Sequence, residues 1–66
     1  MNNKVRELRK LKGLTQEQLA EFIGVSRQTI NAIEKEKFDP SLPTAFKMSK
    51  LFEVSIEEFF FYDERE

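Results

Sequence analysis

Apolar residues recur at helical spacing in successive stretches of this chain, and each stretch is bounded by residues that start or stop helices. Val5, Leu8 and Leu11 lie between charged neighbours, which predicts an amphipathic helix over about residues 3–12 that stops at Gly13. Leu14 begins the next packing unit. Thr15 followed by Gln18 has the form of a capping box and starts a second helix over about 16–23. Gly24 ends that helix, because a left-handed closing residue is reached by glycine without a Cβ clash. Ser26 caps a third helix over about 27–36, so the connection is short and the crossing sharp, with Ala20 small enough to admit a close neighbour.

Phe38-Asp39-Pro40-Ser41 has loop chemistry, Pro40 turning Asp39 away from helical geometry. Ser41 then caps a fourth helix over about 42–52, with Pro43 in the first turn where its missing N–H does no harm. Leu42, Ala45, Met48, Ser49 and Phe52 share one side of it, and Leu51 lies on roughly the other. Val54 and Ser55-x-x-Glu58 repeat the lead-in and capping box for a short fifth helix that buries Ile56, Phe59 and Phe60. Phe61, Tyr62 and the charged run DERE follow. With no linker, low-complexity tract or repeat, residues 1–66 are expected to form a single all-α domain of five helices.

Composition narrows the class. A chain of 66 residues buries a modest fraction of its surface, and without Cys or His it has neither disulfide nor the usual metal ligands, so packing or self-association must stabilise it. The same lack, with no phosphate-binding glycine loop, removes the material for most catalysis: no enzyme activity, metal, cofactor or small-molecule ligand is expected. No apolar run approaches membrane-spanning length and the N-terminus is polar, which predicts a soluble cytoplasmic protein. Net charge is −1, unlike the basic balance common in nucleic-acid binders, but it is unevenly distributed. Residues 1–37 hold eight basic against five acidic groups (8 − 5 = +3), and residues 38–66 hold three against seven (3 − 7 = −4). Such a molecule can turn a basic side to DNA and its acidic end away, although a mixed surface also accommodates the split.

The pair of helices in residues 15–37 carries the function. Leu19, Ile23, Val25, Ile30 and Ile33, with Ala20 and Gly24 between them, fit the helix-turn-helix that enters the major groove; an ordinary helical hairpin is the plain alternative. At 100° per residue, Ile30, Ile33 and Glu34 face the domain, Gln28, Asn31, Ala32 and Lys35 face away, and Arg27 and Thr29 take the shoulders. Asn and Gln pair with adenine and Arg with guanine, so Arg27, Gln28, Thr29 and Asn31 are candidate base readers. Lys35 and Lys37 are candidate phosphate ligands, as is Gln16 at the positive end of the second helix.

On LTQEQLAEFIGVSRQTINAIE and the KFDPSL loop, residues 5–60 resemble the Xre/Cro-type helix-turn-helix family, the five-helix fold of phage repressors. Chain length and the VSRQTIN segment are similar to small dimeric repressors of the cytolysin-repressor type. The resemblance implies DNA-facing positions at Gln16, Arg27, Gln28, Thr29 and Asn31, and an ion pair between Arg9 and Glu34, consistent with the inward turn of Glu34. It also implies a short two-stranded sheet pairing Met1 to Lys4 with Phe60 to Glu64. Two departures stand out: Asp39 replaces the Asn usual before the loop proline, which is unfavourable for DNA contact, and Ala32 replaces a long polar side chain of some phage repressors.

One helix reads only a few base pairs, so a regulator of this kind works as a dimer whose recognition helices are about 34 Å apart. The core is complete without Leu51, Phe61 and Tyr62, which makes them candidates for a homodimer interface involving the 61–66 tail; a tail folded back on the core is the alternative. Phe22 points outward from the second helix. The expected function is a sequence-specific repressor binding a palindromic site in double-stranded DNA. The competing class is an antitoxin-like protein-interaction module using Phe22 and the acidic end.

Overall fold

The computed structural model describes residues 1–62 and contains five helices and one small sheet in the order β1 (Asn2–Asn3), α1 (Val5–Leu11), α2 (Gln16–Ile23), α3 (Arg27–Glu34), α4 (Leu42–Phe52), α5 (Ile56–Phe59) and β2 (Phe60–Phe61). Among the described residues no helix is long and apolar enough to cross a membrane.

Local chemistry sets the boundaries around the helical pair. The Thr15 hydroxyl accepts the Gln18 N–H at 3.0 Å while Gln18 Oε1 accepts the Thr15 N–H at 2.9 Å, completing the capping box of α2. Gly24 closes α2 at φ 86°, its N–H donating to the Ala20 carbonyl at 2.8 Å. Lys47 Nζ donates to the Ile23 carbonyl at 3.3 Å, placing a cation on the negative end of α2. The Ser26 hydroxyl accepts the Thr29 N–H at 3.2 Å to start α3. Val5, Leu19, Ile30, Ile33, Met48 and Phe59 are fully buried and bring all five helices onto one core. Val25 is half-buried against it.

The first helix is shorter than the pattern predicts. Asn2 and Asn3 pair antiparallel with Phe61 and Phe60, and the Asn3 Oδ1 accepts the Val5 N–H at 3.1 Å, so the helix starts at Val5. Lys4 N–H donates to the Phe59 carbonyl at 2.9 Å, extending the link between chain ends. The sheet implied by the resemblance is therefore present but spans two residues per strand; Asp63 and Glu64, expected to extend it, lie outside the described residues, as does the rest of the tail beyond Tyr62. The third helix ends at Glu34, and Glu36 takes a left-handed φ of 63° in the turn that follows.

Three leucines depart from their expected sides. Leu11 is 82% exposed, because α1 turns Val5 and Arg9 inward and thereby rotates Leu11 roughly 120° off the buried direction. In α4 the buried arc centres on Ala45, Met48 and Phe52, which puts Leu42 and Leu51 on opposite shoulders, each roughly 90° away. Leu42, expected in the core, is 66% exposed; Leu51, expected outward, is half-buried and packs against the core.

Candidate nucleic-acid interface

The last turn of α3 is held by polar contacts from α1 and β1. Arg9 Nε donates to Glu34 Oε2 at 2.6 Å and Nη2 donates to Glu34 Oε1 at 3.2 Å, while Nη1 donates to the Leu14 carbonyl at 2.8 Å. The guanidinium thus ties α1, the turn before α2 and the last turn of α3 together, and the Glu34 side chain is only 3% exposed. Past the end of α3, Asn3 Nδ2 donates to the Ile33 carbonyl at 2.9 Å and the Asn3 N–H donates to Glu36 Oε2 at 3.2 Å.

Gln16, Arg27, Asn31 and Lys35 gather around the cleft between the start of α2 and α3. Gln16 Nε2 donates to Asn31 Oδ1 at 3.2 Å and to Glu34 Oε1 at 3.1 Å, and Arg27 Nη1 stands 3.5 Å from Gln16 Oε1. Arg6 lines the same cleft beside Lys35. Arg6 is not among the candidates that residue type and spacing single out; its signal in the sequence is its position one turn before Arg9, which the resemblance pairs with the end of α3.

Gln28 and Thr29 occupy a second, shallower depression with Ser26, Ala32 and Phe38. Gln28 is exposed, whereas Thr29 is half-buried with its hydroxyl 3.0 Å from that of Ser26. Phe38, read as loop, is 54% exposed and gives this depression an apolar wall. Lys37 is exposed in the turn beyond α3. Asp39 is 3.1 Å from the Met1 ammonium, so its charge is directed at the chain terminus.

Away from this surface, Phe61 is 40% and Tyr62 71% exposed, with Lys4 Nζ 5.7 Å from the Phe61 ring centre. Met1, Pro40, Leu42, Ala45, Ile56 and Phe60 line an apolar groove beside the sheet. Leu51 is not among these lining residues.

Known proteins place this geometry. The helix-turn-helix family model matches residues 5–59. An uncharacterized HTH-type transcriptional regulator of Methanocaldococcus jannaschii is 58% identical over 66 residues, covering 100% of both chains. The crystal structure of the restriction-modification controller protein C.AhdI from Aeromonas hydrophila superimposes with a TM-score of 0.76 at 33% identity, covering 86% of each chain. The N-terminal DNA-binding domain of SinR from Bacillus subtilis superimposes with a TM-score of 0.73 at 31% identity, covering 82% of this chain and 80% of that one. The chain therefore belongs to the Xre-type helix-turn-helix family, whose fold is that of DNA-binding transcriptional regulators.

Proposed function

We propose that this regulator binds a specific duplex sequence with α3 in the major groove and represses transcription by occupying a palindromic site as a homodimer. The observation that carries this reading is the setting of α3: a helix clamped by Arg9, Glu34 and Asn3, bearing Arg27, Gln28 and Asn31 and edged by Arg6, Lys35 and Lys37. Arg27, Gln28, Thr29 and Asn31 address base edges, and Phe38 beside Gln28 adds an apolar surface for a thymine methyl. Arg6, Lys35 and Lys37 address phosphates. Because Arg9 and Glu34 neutralise each other, the cations that bear on DNA are those at the rim.

A homodimer supplies the second recognition helix one DNA turn away. Phe61 and Tyr62 and the groove containing Leu42 form its main surface, to which Leu51 adds what exposure it retains. Occupying a promoter in this way blocks polymerase, and the protein does so in the cytoplasm, without enzyme activity or a small-molecule ligand. Fluorescence anisotropy on the duplex upstream of its own gene, titrated with salt, tests the function: affinity should fall linearly on log axes in proportion to the phosphates neutralised. Salt-independent binding, or none to any duplex, contradicts it.

A further inference from the structure

The Glu34 carboxylate can only accept hydrogen bonds, so Gln16 must meet it with its amide nitrogen. The same nitrogen donates to Asn31 Oδ1, and these two bonds use both of its hydrogens. The Gln16 side chain thus has no donor left for a phosphate in this arrangement, and its oxygen faces the Arg27 guanidinium. Asn31 in turn has its oxygen directed toward Gln16, which leaves the nitrogen limb of its amide on the other side.

We propose that Gln16 and Glu34 are positioning residues for DNA readout: the Glu34 carboxylate anchors the Gln16 amide, whose nitrogen donates to Asn31 Oδ1 and fixes the Asn31 amide with its N–H groups outward. The proposal rests on α3 being the DNA-reading helix. Held this way, Asn31 donates to a major-groove acceptor such as adenine N7, and the second lone pair of Oδ1 accepts from adenine N6. Cytosine offers a donor to Oδ1 but no acceptor for the Asn31 N–H, so it makes at most one of the two bonds and is disfavoured. Without the relay the Asn31 amide is free to flip and meets either base.

The test begins with selection of duplexes from a random pool, the Asn31 position being the one whose preference vanishes in Asn31→Ala. There the wild type should prefer adenine over cytosine by at least about fivefold, as expected for a bidentate pair. Gln16→Met keeps the length of the side chain, and Glu34 Oε1 retains its bond from Arg9, so the fold should melt within a few degrees of wild type. Its adenine preference should fall to about twofold or less, with random-duplex affinity and salt slope unchanged. Retained preference overturns the proposal. So does a uniform loss of affinity on selected and random duplexes alike, which would make Gln16 a phosphate ligand. In the DNA-free protein, the Gln16 side-chain amide hydrogens should exchange more slowly than those of exposed Gln28; equal rates overturn the relay alone. Failure of the wild type to bind any duplex overturns the DNA-reading function, and the proposal with it.

Discussion

Arg9 and Glu34, twenty-five residues apart, meet through a guanidinium nitrogen 2.6 Å from a carboxylate oxygen, with side chains 10% and 3% exposed. At that depth the attraction is weakly screened, but so is the cost of an unpaired charge. Glu34→Leu or Arg9→Met alone should therefore destabilise the domain by about 3–5 kcal/mol, a large share of what a small domain has. The double variant should lose much less than the sum, because neither charge is stranded. Urea unfolding of the four proteins checks this, and strictly additive losses would refute the coupling.

The proposed reading gives Gln28 a base and Lys35 and Arg6 phosphates, and the two roles predict different losses. Gln28 is exposed beside an apolar wall, so Gln28→Ala should cost about 1–3 kcal/mol on the selected duplex and nearly nothing on random DNA. Lys35→Ala and Arg6→Ala should weaken every duplex and each reduce the salt slope by about 0.9 per subunit, or about 1.8 for the bound dimer. Anisotropy at several salt concentrations distinguishes the two patterns; a specific-only loss for Arg6→Ala would make it a base reader.

The helical pair was legible because each of its features is local. Thr15 and Gln18, Gly24, Ser26, Ile30 and Ile33 act within a few residues of themselves, and their structural roles follow from type and spacing. Arg9 is the instructive failure. Counting it as polar made Leu11 part of the helix face, whereas burial of Arg9 against Glu34 turns α1 and leaves Leu11 in solvent. The family resemblance implies that pair, but only the packed structure shows how it rotates the helix. Leu42 and Leu51 exchanged environments for a related reason: a leucine roughly 90° from the buried arc is decided by what neighbouring elements cover, which periodicity does not report. The Gln16 network needed three-dimensional structure, since it joins residues 15 and 18 positions apart.

Leu42 offers a cleaner probe of self-association than Leu51. Its side chain is 66% exposed and lines the groove with Met1, Ile56 and Phe60, while Leu51 already packs on the core and its loss would mix unfolding with dissociation. Leu42→Glu should leave the melting temperature of the isolated domain nearly unchanged at low concentration but weaken the dimer, since a charge at an apolar contact costs roughly 1–3 kcal/mol. Sedimentation equilibrium should then show a dissociation constant raised by about tenfold or more. An unchanged constant removes Leu42 from the interface, and a parallel test of Tyr62→Glu decides whether the tail takes part.

Asn3 connects the sheet to the end of α3 more directly than its position near the terminus suggests. Its Nδ2 donates to the Ile33 carbonyl at 2.9 Å and to the Met1 carbonyl at 3.2 Å, and its Oδ1 accepts the Val5 N–H. Asn3→Ala removes all three bonds, leaving a carbonyl at the end of α3 and an N–H at the start of α1 without these side-chain partners. Part of the loss returns as hydration at these partly buried groups, so the expected cost is about 1–3 kcal/mol. The effect should be uneven: amide exchange should accelerate at Val5 and at Lys4, which donates to Phe59, and around the Glu36 turn, while Leu19 and Ile30 in the core keep rates set by global unfolding. DNA affinity should fall as well, because the far end of α3 loses an anchor that Arg9 and Glu34 do not replace. Asn3→Asp is the control: it keeps the acceptor for Val5 but cannot donate to Ile33. If Asn3→Asp restores wild-type exchange at the Glu36 turn, the Ile33 bond is not what holds that end of the helix.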